Sequence, residues 1–155
     1  MRRLIDMVNS ERIVWLETTS REDFIRELAG FLSTAPEISN PEEFIEAIIE
    51  REKIMSTGIG LGIAIPHAKI ASVKDFVLAM GISRVGLDFG AIDDLPVHIV
   101  VMIATPEREK DNYVRVLAKV VRILKSEDVR KGLIEARNAG AVEEVIRQWY
   151  SGQIE

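Results

Sequence analysis

Hydrophobic positions recur along this chain at two spacings, and the switch between them marks out the elements. Arg12 to Glu17 (Arg-Ile-Val-Trp-Leu-Glu) is a β-branched and aromatic run and predicts a first strand. Ser20, followed by Asp23, is a variant of the capping box, and Phe24, Ile25, Leu28, Phe31 and Leu32 then recur on one helical face. Ala35 to Ser39 reads as a loop. Asn40 is placed to cap a second helix, with Pro41 at its first position and Glu42 and Glu43 in the first turn, where the backbone dipole favours negative charge. Phe44, Ile45, Ile48 and Ile49 form its apolar stripe, and the helix ends around Lys53. Phe76 to Ser83 and Val97 to Ala104 are nearly continuous apolar runs, the pattern of strands covered on both faces. Between them Asp88 to Pro96 is rich in turn residues. Glu109 to Lys125 predicts a long amphipathic helix, with Val114, Leu117, Val121 and Leu124 on one face. Ser126 starts a further helix broken near Gly140, and Val142 to Trp149 makes the last. No repeat or linker interrupts the order. The expectation is an α+β chain: one domain over residues 1–155, a three-layer α/β/α sandwich around a mixed β-sheet.

Composition narrows the function. At 155 residues, 47% hydrophobic and 29% charged, the chain can bury a core without staples. It has no cysteine, which excludes disulfides, thiolate metal sites and a cysteine nucleophile. The net charge of −5, without a basic block or basic-aromatic interleaving, gives nucleic-acid binding no electrostatic support. The start, Met1-Arg2-Arg3-Leu4-Ile5-Asp6, lacks the apolar stretch of a signal peptide, and the longest apolar run, Ile99 to Ala104, is too short to cross a bilayer. We therefore expect a soluble, cytoplasmic chain with no direct membrane insertion. Its two histidines, His67 and His98, lie far apart with no acidic pair at ligand spacing beside either, so neither a metal nor a cofactor is expected.

The segment Gly58-Ile59-Gly60-Leu61-Gly62-Ile63-Ala64-Ile65-Pro66-His67 carries the chemistry. Glycine at every second position leaves the backbone open to close approach by a partner or an anion. Ile63-Ala64-Ile65 reads as a short buried strand, and Pro66, having no N–H, is expected to end the ladder there. His67 then stands at a strand edge. Imidazole is both a good nucleophile and half-deprotonated near neutral pH. An anion arriving there would need hydrogen-bond donors, and Thr57, Gly58 and Gly60 are candidates to supply them. Arg51, near the end of the second helix, is the candidate cation, its planar donor fork matching phosphate; the competing role is a solvated helix charge paired with Glu46 or Glu50. Lys69 is expected to face the same surface as His67, steering an acidic partner or simply solvated. His98, inside the Val97–Ala104 strand, reads as structural.

Glu52, six intervening residues, Ile59-Gly60, two more residues and Ile63-Ala64-Ile65-Pro66-His67-Ala68 together resemble the active-site signature of the fructose/mannitol-type enzyme IIA family of the sugar phosphotransferase system, which includes nitrogen-regulatory relatives. Glu50-Arg51-Glu52 and Ser56-Thr57-Gly58 resemble the same pattern, and the likeness extends over essentially the whole chain. It implies a phosphocarrier that accepts a phosphoryl group on His67 Nε2, with Nδ1–H oriented by a backbone carbonyl. The donor would be the phosphorylated histidine-containing carrier protein, and the recipient a cysteine of a sugar-specific enzyme IIB, a domain that this cysteine-free chain cannot itself contain. Family members of the mannitol type resemble one another in a second histidine at the start of the long helix. The matching position here is Tyr113, a phenol that donates a hydrogen bond but carries no charge. Two alternatives stand beside this reading: a nitrogen-type regulator whose phosphorylation state controls binding to targets, and a protein-binding module that is never phosphorylated.

Overall fold

The computed structural model describes residues 4–154; Arg2 and Arg3 lie outside them. The elements run α1 (Leu4–Met7), β1 (Val8–Trp15), α2 (Arg21–Leu32), α3 (Pro41–Ile54), β2 (Gly58–Gly60), β3 (Ile63–Ala64), β4 (His67–Ile70), β5 (Val77–Leu87), β6 (Val97–Pro106), α4 (Lys110–Leu124), α5 (Glu127–Glu135) and α6 (Ala139–Ile154). Three helices begin where the sequence places their caps. Ser20 Oγ accepts from the Asp23 amide at 3.3 Å, Asn40 Oδ1 from Glu43 at 3.2 Å with Pro41 at the first position, and Ser126 Oγ from Val129 at 3.3 Å.

The six strands form one mixed sheet in the order β1-β5-β6-β3-β2, with β4 also paired to β6. β1 runs parallel to β5, β5 antiparallel to β6, and β3 and β4 both parallel to β6. Alternation along β6 divides the core. Val100, Met102 and Ala104 face α2 and α3, packing with Phe24, Leu28, Phe44 and Ile48. Ile99, Val101 and Ile103 face the other way, with Val116, Val120, Leu133 and Ile146 of α4, α5 and α6. The expected three layers are therefore present.

Three expectations change in detail. Pro66 does not end the ladder. Ile63 pairs with Ile99 and His67 with Ile103, the same offset on both sides of the proline, so β3 and β4 are one interrupted strand. The proline removes a single donor, but its carbonyl still accepts the Ile103 amide at 2.9 Å, which holds the strand in register. On α4 the buried face is Tyr113, Val116, Val120 and Ile123, whereas Val114 is 62% exposed. Both stripes have the 3–4–3 spacing of a helical face, and only the sheet against which the helix lies selects one. Phe31, expected inside on α2, is 40% exposed.

Gly81, at the middle of β5, lets α2 lie close to the sheet: a Cβ there would come within 2.9 Å of Phe24 Cε1 and 3.2 Å of Leu28 Cδ2. Both neighbours are fully buried and cannot retreat. Gly81→Ala should therefore destabilise the protein by about 1–3 kcal/mol through overpacking. Urea denaturation checks this; unchanged stability would mean that α2 floats free of β5.

Candidate functional site

His67 is aimed by a chain of hydrogen bonds that begins at a buried carboxylate. Glu52, in the last turn of α3, is 5% exposed; its Oε1 accepts the Thr57 amide at 3.0 Å and its Oε2 the Thr57 hydroxyl at 2.7 Å. The Thr57 carbonyl in turn accepts the Ile65 amide at 3.1 Å. The Ile65 carbonyl lies 2.9 Å from His67 Nδ1. A carbonyl only accepts, so Nδ1 carries the proton and the Nε2 lone pair is left outward. Among the described residues Nε2 makes no hydrogen bond. Strand alternation makes this possible. Ile65 turns its amide and carbonyl to the side away from β6, where Thr57 and the imidazole take them up.

The surroundings keep the ring neutral. Burial is the largest influence and pushes the His67 pKa below its ordinary value; the Ile65 hydrogen bond pulls it upward by less, and the positive charges of Arg51 and Lys69 add to the lowering. Arg51 Nη1 donates to the Met55 carbonyl at 2.9 Å, folding the guanidinium back over the end of α3. Glu50, one of its expected helix partners, pairs instead with Lys53 at 3.3 Å. The Tyr113 ring lies 5.0 Å from the His67 ring, tilted by 37°, and burial raises its pKa, so the hydroxyl stays protonated and available as a donor. Glu52 has its pKa raised by burial, opposed by the two bonds from Thr57 and by the Arg21 and Arg51 charges.

The structure thus gathers His67, Arg51 and Tyr113 around one space and sets the other candidates behind it. Thr57 spends both its donors on Glu52, so it serves the site by holding the strand. The Gly58 amide is satisfied by Ser56 Oγ at 3.1 Å, and Gly60 lies against Asp93. The alternating glycines answer to a turn instead of an open anion cradle: Gly60, Leu61 and Gly62 all have positive φ, at 97°, 60° and 76°. Asp93 Oδ2 pins that turn by accepting the Leu61 amide at 2.9 Å. His98, near the opposite end of β6, gives Nδ1 to the Ser83 carbonyl at 2.8 Å and belongs to no such cluster. Sequence reasoning assigned Glu52 no task. Its one signal was its place at the head of the signature, because its burial depends on how α3 meets β2. Among the described residues no cluster of acidic and histidine side chains could hold a metal ion, and no helix is long and apolar enough to cross a membrane.

Residues 6–149 match the model of the family described as "Phosphoenolpyruvate-dependent sugar phosphotransferase system, EIIA 2". The chain belongs to this EIIA family, whose members are phosphotransferase-system components. It is 38% identical over 86% of its length to the fructose-specific EIIABC component of Bacillus subtilis, of which it spans only 21%. It is 32% identical to the nitrogen regulatory protein of Bradyrhizobium diazoefficiens, covering 92% of this chain and 94% of that one. Among solved structures, the nitrogen regulatory protein IIA-Ntr of Neisseria meningitidis superposes with a TM-score of 0.84 at 28% identity, over 92% of this chain and 98% of the other. The EIIA fold and the sequence thus agree on the family.

Two outcomes follow from the site's geometry. In Glu52→Ala the Thr57 amide loses its acceptor in a buried position, so stability should fall by about 1–3 kcal/mol, measured by thermal and urea unfolding. Glu52→Gln keeps one acceptor and should lose less. For His67, NMR titration of the ring protons should place the midpoint below the ordinary imidazole value of about 6.5. Arg51→Gln removes a repelling charge and should move that midpoint upward. A midpoint unmoved by Arg51→Gln would show that the guanidinium does not act on the ring.

Proposed function

We propose that the protein is a single-domain EIIA phosphocarrier working in the cytoplasm. Its donor is the phosphorylated histidine-containing carrier protein, and its recipient a cysteine of a sugar-specific enzyme IIB. The observation that carries this reading is the Ile65 carbonyl on His67 Nδ1, which leaves Nε2 unprotonated and, among the described residues, without a hydrogen-bond partner. In the transfer, the Nε2 lone pair forms a bond to phosphorus while the donor's nitrogen–phosphorus bond breaks and its electron pair returns to the donor imidazole. The proton stays on Nδ1, donated to the Ile65 carbonyl, throughout. Arg51 supplies positive charge to the phosphoryl oxygens, and the Tyr113 hydroxyl supplies a neutral donor. The preorganised ring needs no reorientation, which is what fast passage in both directions requires. Onward transfer reverses the step: the thiolate of enzyme IIB bonds to phosphorus and the electron pair returns to His67.

A second reading is a nitrogen-type regulator with the same phosphohistidine. It is supported by the nitrogen regulatory relative, matched over nine-tenths of both chains. The two readings share His67 and part at the next step: a carrier loses its label to an enzyme IIB cysteine, whereas a regulator keeps it and changes partners.

Incubation with radiolabelled phosphoenolpyruvate and the general phosphotransferase proteins tests the common step. The parent and His98→Ala should take up label and His67→Ala none. Arg51→Ala should slow labelling by about 10²–10³-fold. Its stability should change by only a few tenths of a kcal/mol, as for other surface charges. A parent that takes no label would leave the protein as a binding module of this fold.

A further inference from the structure

We propose that Lys69 is the second cation of the phosphoryl site: held on the Tyr113 ring in the unphosphorylated protein, its ammonium moves onto the phosphoryl oxygens when Nε2 is loaded. The proposal rests on the phosphocarrier reading above and adds a catalytic residue to it. Four observations carry it. Lys69 follows His67 by two positions on β4, and alternation puts both side chains on the same face of the sheet, whereas Ala68 and Ile70 enter the opposite core. Its Nζ stands 4.6 Å from the Tyr113 ring centroid, and that ring stands 5.0 Å from the imidazole, so the ammonium waits one ring away from the nucleophile. Its charge already acts on His67. No carboxylate holds it: among the described residues it makes no ion pair, and its ammonium rests on the Tyr113 ring.

Charge at a transferring phosphoryl group is spread over three oxygens. On this site Arg51 has one guanidinium nitrogen already given to the Met55 carbonyl, and the Tyr113 hydroxyl is neutral. Arg51 and Lys69 are the two cations whose charge acts on the ring, and with part of the Arg51 fork engaged and the phenol neutral, Lys69 is placed to supply the second positive charge. A cation–π contact at an exposed position is weak, whereas an ammonium–phosphoryl hydrogen bond is charge-assisted, so the exchange runs toward the phosphoryl group. The flexible four-carbon stem of lysine permits the movement. In this arrangement Tyr113 acts as a shelf that stores a cation where the mannitol-type pattern carries its charge on the ring itself.

The experiment measures labelling of His67 by two donors, the phosphorylated carrier protein and inorganic phosphoramidate, whose nitrogen–phosphorus bond breaks with release of ammonia as the Nε2–phosphorus bond forms. The small donor makes no protein docking contacts. Lys69→Met should slow labelling by about tenfold or more with both donors, Lys69→Arg should restore most of the rate, and Lys131→Gln on α5 serves as a distant surface control. Equal rates for Lys69→Met and the parent with phosphoramidate overturn the proposal, whether or not the carrier reaction slows, because an effect confined to the protein donor makes Lys69 a docking residue. Failure of Lys69→Arg to recover overturns it too. If the parent itself gains no label on His67 from either donor, the phosphocarrier reading falls and this one with it, a result distinct from a labelled parent with an indifferent Lys69.

Discussion

The position of His67 depends on the buried carboxylate of Glu52. A carboxylate in that place costs free energy unless its oxygens are occupied, and here both accept from one residue, the amide and hydroxyl of Thr57. The pair binds the end of α3 to the start of β2. Through the Thr57 carbonyl it also fixes Ile65, whose own carbonyl orients the imidazole. On the other side of the same segment, β6 holds Pro66 and His67 in the parallel register. His67 therefore stands on a backbone braced from two directions, and its ring is oriented before any partner arrives.

That bracing decides which chemistry the ring performs. Burial and two cations keep it neutral, the protonated nitrogen is turned inward, and the lone pair is turned outward. The same cations that disfavour an imidazolium would, under the function proposed above, favour a phosphoryl group on Nε2. Tyr113 fits this arrangement because burial holds its phenol protonated beside the ring.

The likeness to both fructose-specific and nitrogen regulatory EIIA proteins follows from the same economy of parts. The braced strand, the oriented ring and the cation serve His67 in the same way under either of the two readings proposed above. Met55, Ile59 and Leu61 are exposed apolar side chains of the segments that flank the site, and none of them takes part in the hydrogen bonds that orient His67.

Local chemistry was legible in the chain because its causes are local. Asn40 with Pro41, Ser20 and Ser126 each start a helix through a bond to an amide three residues away. The apolar runs at β5 and β6 announce buried strands wherever they are placed, and the glycine-proline-histidine segment with its flanks points to the nucleophile. Which stripe of α4 faces inward was not legible, since Val114 and Tyr113 each lead a helical repeat and only the sheet beneath chooses between them. Nor was the task of Thr57, whose donors look free in sequence and are consumed by Glu52 in the fold. The continuation of the ladder past Pro66 depends on a carbonyl meeting Ile103, far along the chain. The sequence by itself determined most of the helices and the two long strands and pointed to His67 as the candidate nucleophile, because these signals arise within a few residues. The aim of the ring, its neutral state and the cations gathered around it were decided by the tertiary structure, because each depends on groups that only the packing of α3, β4, β6 and α4 brings together.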